Sequence, residues 1–307
     1  MRQFAPTNNV HLRPYKSMLA KNTKWIILFL LALVWGSSFI LMKRGLEAFS
    51  SSQVAALRIS IASVFLIPFL IKHYKINLKK YWLGLVLAGV FGNLIPAFLF
   101  TKAETGISSS LAGMLNALTP LFTVILGWIA FRNKSTPLQI VGILVAFVGA
   151  LFLLSGDKNP QESGLFYAFL VILATLCYAI SVNCIKHFLN DLNSIAATAW
   201  SFAFIGPVAL MYLFSTDFTE VMQTNPKALS SLGYISILGI VGSALSVIFF
   251  NYLIKLSGAV FAASSTYIIP IVAVGWGIFD GEIITIIQIA AIFVILGGVW
   301  LINKRKV

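Results

Sequence analysis

A set of neutral polar and aromatic side chains lies deep inside long apolar runs: Trp35, Ser38, Asn93, Asn116, Thr119, Tyr178, Asn183, Ser243, Ser265 and Tyr267. One cation joins them. Arg58 lies six residues beyond Ser52, about 9 Å into its segment at the helical rise of ~1.5 Å per residue. In such surroundings a guanidinium either meets an anionic ligand group, holds a gate, or ties its helix to backbone carbonyls. Each asparagine amide brings several groups that hydrocarbon cannot satisfy, so Asn93 and Asn116 carry more information than the serines, which can bond the carbonyl one turn back. Trp35 follows Trp25 by ten residues, about 15 Å along a helix and hence near mid-membrane, whereas Trp25, Trp82, Trp128 and Trp300 fall near segment ends as an interfacial belt requires. Trp35 therefore lines a cavity or packs with its indole N–H on a neighbouring carbonyl.

These residue types suit reversible recognition of a small amphipathic solute. A multiply charged phosphate would need several Arg or Lys, and acid–base or metal chemistry would need convergent His, Asp, Glu or Cys, which are missing at depth. No cofactor or metal is implied. Cys177 and Cys184 share one apolar segment; seven helical residues part them by about 10 Å, too far for a disulfide.

The elements that hold these residues follow from composition. Of 307 residues, 59% are hydrophobic and 10% charged, with a mean hydropathy of +0.93. Soluble domains carry about 25% charged residues, so most of this surface faces lipid. Ten apolar runs are long enough to span a hydrocarbon core as helices: 25–42, 52–71, 81–100, 109–131, 137–154, 165–185, 195–214, 232–253, 259–279 and 283–302. With residues 1–24 as a cytoplasmic tail, sixteen of the 22 Lys and Arg fall on the inner side and five on the outer, Arg58 lying within a span. The net charge of +13 is thus a topology signal that puts both termini inside. It makes the lipid surface, rather than nucleic acid, the basic residues' partner. The localisation that follows is a multi-pass protein of the cytoplasmic membrane.

An internal repeat relates residues 25–155 to residues 164–303. Trp35–Ser38 aligns with Tyr178–Ser181 at an offset of 143, Pro120 with Pro270 and Asn93 with Ser243 at 150, and Gly149 with Gly298 at 149. Five spans per half leave the second half inverted, a transporter architecture whose site lies where the halves meet. The matched prolines predict paired bends, suited to gating.

The run Leu33-Val34-Trp35-Gly36-Ser37-Ser38-Phe39, the Ala55-Ala56-Leu57-Arg58 stretch, Leu118-Thr119-Pro120, and Phe279-Asp280-Gly281-Glu282-Ile283-Ile284-Thr285 together resemble the EamA family of the drug/metabolite transporter superfamily. The resemblance covers about residues 24–303. It implies a permease for small organic metabolites, amino acids among them, with export as the frequent direction. The first half departs from the family pattern: Phe131-Arg132-Asn133-Lys134 stands where a Gly-Glu link is usual. A membrane-embedded enzyme and a proton-coupled antiporter are the alternatives. Because no carboxylate lies at mid-span, transport is expected to run on the substrate's own gradient, with Glu282 capping the last span.

Overall fold

The computed structural model describes residues 12–130, 136–155 and 162–303, and among these every regular element is a helix. In chain order they are α1 (Leu12–Gly45), α2 (Ser51–Lys72), α3 (Leu78–Ala103), α4 (Ser109–Ile129), α5 (Pro137–Ser155), α6 (Glu162–Phe188), α7 (Ser194–Phe214), the short α8 (Phe218–Thr224), α9 (Ala228–Ser257), α10 (Ala259–Phe279) and α11 (Ile286–Asn303). Eight of them are long and apolar enough to cross a membrane; α5 and α11 contribute the shorter apolar stretches Ile140–Gly149 and Ile286–Gly298. The chain is an all-helical, polytopic membrane protein. Large apolar side chains such as Phe147, Phe152, Phe169, Phe279 and Phe293 are exposed on its outside, an arrangement that needs lipid as the solvent. Helix α1 starts well before Trp25, inside the stretch expected to be a polar tail. The link Phe131–Ser135 lies outside the described residues.

Polar residues at the turns set the helix starts. Ser50 and Gln53 form a capping box on α2, Ser108 Oγ accepts from Leu111 N at the head of α4, and Asn193 Oδ1 accepts from Ile195 N and Ala196 N at the head of α7. Packing does the rest: α2 lies on α7, α4 and the end of α3 on α6, α10 on both α1 and α4, and α5 on α11. The last pair meets backbone to backbone. A Cβ on Gly298 would fall 2.5 Å from Ala146 N, and one on Gly149 would fall 2.9 Å from Ile295 N, so the two glycines aligned in the sequence are those that permit the approach.

Four helices are irregular, in matching places. A π-helical segment interrupts α3 at Val90–Leu94 and α9 at Leu238–Leu245. A 3₁₀ turn interrupts α4 at Asn116–Leu118 and α10 at Ser264–Tyr267, and Pro120 and Pro270 open the α-helical stretch that follows each. Proline has no N–H to give the carbonyl one turn back; for Pro120 that carbonyl is Asn116 O, which takes the Thr119 hydroxyl instead at 2.9 Å.

Candidate functional site

The irregular segments converge on one cavity of about 80 Å³. Seven of the residues singled out in the sequence line it: Trp35, Ser38, Arg58, Asn93, Asn116, Thr119 and Tyr178. Aromatic rings of Trp35, Phe39, Phe100, Tyr178 and Phe250 form part of its walls. Trp35 meets Phe250 edge-on with ring centroids 5.0 Å apart, and Tyr178 stacks on Phe100 at 5.8 Å. Both alternatives for Trp35 hold together, since it lines the cavity while its Nε1 donates to Gly242 O of the α9 π segment at 3.0 Å.

The π segments leave carbonyls that side chains can reach. Asn93 Nδ2 lies 3.5 Å from Ala88 O, five residues back, and Ser243 Oγ lies 3.3 Å from Leu238 O, also five residues back. The two contacts repeat at the sequence offset of 150. π-Bulges of this kind recur at functional sites because they redirect side chains out of the helical register.

Arg58 is 8% exposed. Its Nε donates to Ser243 Oγ at 2.7 Å and its Nη1 reaches Met42 Sδ at 3.8 Å, and among the described residues no carboxylate pairs with it. Ser243 itself does not line the cavity; it orients the guanidinium. Three other sequence candidates also stand outside the lining. Asn183 spends its amide on Thr123 O (3.0 Å) and Ala179 O (2.9 Å), tying α6 to α4. Ser265 bonds Ala262 O at 2.8 Å, one turn back within α10. Tyr267 packs against the main apolar cluster. Their depth in the sequence was right for a site, but the helix face they occupy turns toward neighbouring helices.

Sequence reasoning missed Asn251, which lines the cavity beside Phe250 and is 3% exposed. An asparagine inside an apolar run was the available signal, the same one that identified Asn93. Its Nδ2 donates to Thr198 Oγ1 at 2.9 Å, and its Oδ1 has no partner.

One end of the bundle is closed by a charged latch, and here an expectation is corrected. Glu282 does not cap α11; Thr285 and Gln288 do that, Gln288 N donating to Thr285 Oγ1 at 3.2 Å and Thr285 N to Gln288 Oε1 at 2.9 Å. The Glu282 carboxylate reaches instead to the head of α4. It accepts from Ser109 N (3.0 Å), Ser109 Oγ (2.8 Å), Ser110 N (3.0 Å) and Ser110 Oγ. A left-handed turn at Gly281 (φ +80°) aims it there, and Gly277 leaves the room, since a Cβ on it would sit 2.6 Å from Glu282 Oε2. Burial pushes the Glu282 carboxyl up, but the Ser110, Ser109 and Lys43 hydrogen bonds outweigh this and hold it below its ordinary value. Lys43 bridges Glu282 (3.1 Å) and Asp280 (2.5 Å), and Arg44 pairs with Asp280 and with Glu47 (2.7 Å). The end of α1 is thereby fastened to the α10–α11 turn.

Glu104, at the end of α3, is the odd member of this end. Both its carboxyl oxygens are buried without a hydrogen-bond partner. Burial raises its pKa well above the usual carboxylate value and the nearby Glu282 charge adds to this, with Arg58 and Lys43 pulling the other way. It borders a depression shared with Lys43, Glu47 and Thr105.

Comparison with known proteins agrees with this architecture. A crystal structure superposes with a TM-score of 0.62 at 14% identity, covering 92% of this chain and 96% of that one. An uncharacterized transporter of Archaeoglobus fulgidus is 27% identical over 92% of this chain and 99% of its own length. The uncharacterized inner membrane transporter YedA of Escherichia coli K12 is 26% identical over 91% and 90%, and a probable amino-acid metabolite efflux pump of Salmonella typhimurium is 26% identical over 89% and 92%. The profile of the EamA-like transporter family matches residues 23–155 and again residues 165–304, so on motif, fold and repeat this chain belongs to the EamA-like transporter family.

Proposed function

We propose that this small-metabolite permease carries amphipathic solutes bearing an anionic group, outward across the cytoplasmic membrane, by alternating access. The observation that carries this reading is the central cavity, where Arg58 is the one charged residue among those lining it and five aromatic rings form part of the walls. A solute carboxylate would supply the counter-charge that a buried guanidinium otherwise lacks. Ten spans in two inverted halves, residues 25–155 and 164–303, are the architecture we infer. The paired π segments and paired proline-followed 3₁₀ turns support it, because each recurs in the same order in both halves. Pro120 and Pro270 then act as gate hinges. Cytoplasmic termini follow from the Lys and Arg asymmetry, and export is supported by the efflux pump among the relatives. The chain is read as a carrier rather than an enzyme. Uptake of labelled medium-chain carboxylic acids into proteoliposomes tests the proposal: flux that falls at least tenfold in Arg58→Gln at equal protein supports it, and unchanged flux refutes the role of Arg58.

Energy coupling has two readings. Gradient-driven exchange accords with a cavity lining free of Asp, Glu and His. Proton coupling is favoured by the partnerless carboxyl of Glu104, a group whose protonation would differ between closed and open latch. Proteoliposomes with a pH gradient and equal substrate on both sides separate them. Exchange-driven transport gives no net movement, whereas uphill accumulation that a protonophore abolishes and Glu104→Gln removes establishes coupling through Glu104.

A further inference from the structure

The central cavity has two unsatisfied ends of opposite character. At one, the Arg58 guanidinium finds only Ser243 Oγ and the Met42 sulfur. At the other, Asn251 belongs to the lining, and its carbonyl oxygen is buried with no donor. Thr198 Oγ1 donates its own proton to Ser194 O at 2.9 Å, and its lone pairs receive the Asn251 NH₂ group at 2.9 Å. The group left free in this arrangement is the acceptor. A buried cation without an anion and a buried acceptor without a donor are both costly, and both belong to residues lining one cavity.

The residue that holds Arg58 and Asn251 itself both belong to α9. Ser243, which holds Arg58, and Asn251 are eight residues apart on that helix, about 12 Å at ~1.5 Å per residue and somewhat less through the π turn. An α-amino acid carries its ammonium and carboxylate on adjacent carbons, too close together to serve both ends.

We propose that the cavity selects two-ended solutes, with an anionic group at Arg58 and a hydrogen-bond donor at Asn251, separated by an apolar body several carbons long that lies against Trp35, Phe100 and Phe250. This rests on the carrier reading above and deepens it: the cargo is an acid with a distal ammonium, hydroxyl or N–H, rather than a simple α-amino acid recognised at its backbone. The distal donor gives selectivity, because a solute lacking it buries the Asn251 oxygen unpaired.

Calorimetry on the purified protein in nanodiscs tests this with three probes that share a six-carbon chain: 6-aminohexanoate, hexanoate and hexylamine. The expected order places 6-aminohexanoate about tenfold tighter than hexanoate, the worth of one hydrogen bond made in a buried site. Asn251→Leu should erase that difference while leaving hexanoate binding unchanged, and Asn251→Asp should widen it. Arg58→Gln should weaken both acids at least tenfold and leave hexylamine unaffected. Equal binding of the two acids to the native protein, or a difference that survives Asn251→Leu, overturns the two-ended inference. If hexanoate binding also ignores Arg58→Gln, the reading of the cavity as an anion site falls with it, so the two failures are distinguishable. Thermal melting of each variant without ligand confirms that it is folded; should Asn251→Leu fail to fold, Asn251→Ser, which keeps a short polar side chain but withdraws the acceptor from the cavity, makes the same comparison.

Discussion

Replacing Glu282 with alanine removes the acceptor shared by Ser109 and Ser110 at the head of α4. The carboxylate side chain is 7% exposed, and the amides of Ser109 and Ser110 lose their partner along with the Ser109 hydroxyl, while the Ser110 hydroxyl keeps Ser108 Oγ at 3.1 Å. Loss of an N-terminal cap costs about 1 kcal/mol, and hydrogen bonds to a charged group contribute about 1.5–3 kcal/mol. The two figures describe overlapping contacts and do not add in full. Lys43 softens the loss, being 38% exposed and still paired with Asp280 at 2.5 Å, so the ion-pair share lies near the small values of surface pairs. The expected destabilisation is about 3 kcal/mol for Glu282→Ala and about half that for Glu282→Gln, which keeps one acceptor oxygen. A thiol-reactive dye reads the melting directly, because Cys177 and Cys184 are buried and free. Hydrogen exchange locates the effect: protection should drop across residues 109–115 and hold across residues 286–290. Unchanged melting in both variants, or lost protection confined to the start of α11, would refute the latch and restore Glu282 as a cap of the last helix.

Trp35→Phe keeps the ring against Phe250 but loses the hydrogen bond to Gly242 O, and should lower stability by about 1 kcal/mol; Trp35→Ala should cost more and also reduce flux, measured by thermal melting and proteoliposome uptake. For Glu104 the folded-state pKa is raised, burial being the largest cause, so its contribution to stability is fully present below the ordinary carboxyl pKa and is lost as pH rises through the raised value. Melting of the native protein should therefore decline over that window, and Glu104→Gln should flatten the decline, with the difference between the two proteins appearing on the alkaline side. Gly298→Val puts carbon where Ala146 N would be 2.5 Å away and should force α5 and α11 apart at a cost of about 1–3 kcal/mol or more, seen as a lower melting midpoint; the same change at Gly297, which has open space beside it, should be nearly neutral.

What the sequence determined by itself is what depends on solvent and on local backbone chemistry. Apolar length and scarce charge specify membrane helices wherever they occur, because lipid leaves the backbone no other partners. The helix interruptions beside Pro120 and Pro270 have a local cause of the same kind: a missing N–H acts on its own helix regardless of what surrounds it. Depth along a span was also readable, and it brought Trp35, Arg58, Asn93 and Asn116 to the cavity. Which face of a helix turns inward was not, since that depends on how neighbouring helices pack. Asn183 and Ser265 share the depth of the cavity residues yet bond to α4 and to their own helix, while Asn251, nearer a span end, lines the cavity. Glu282 makes the same point at longer range. Nothing local distinguishes a carboxylate that caps the helix after it from one that turns back at Gly281 to meet Ser109 and Ser110, 173 and 172 residues away in the chain. Only the packing of α10 against α4, with Gly277 leaving room between them, decides which amides the carboxylate meets.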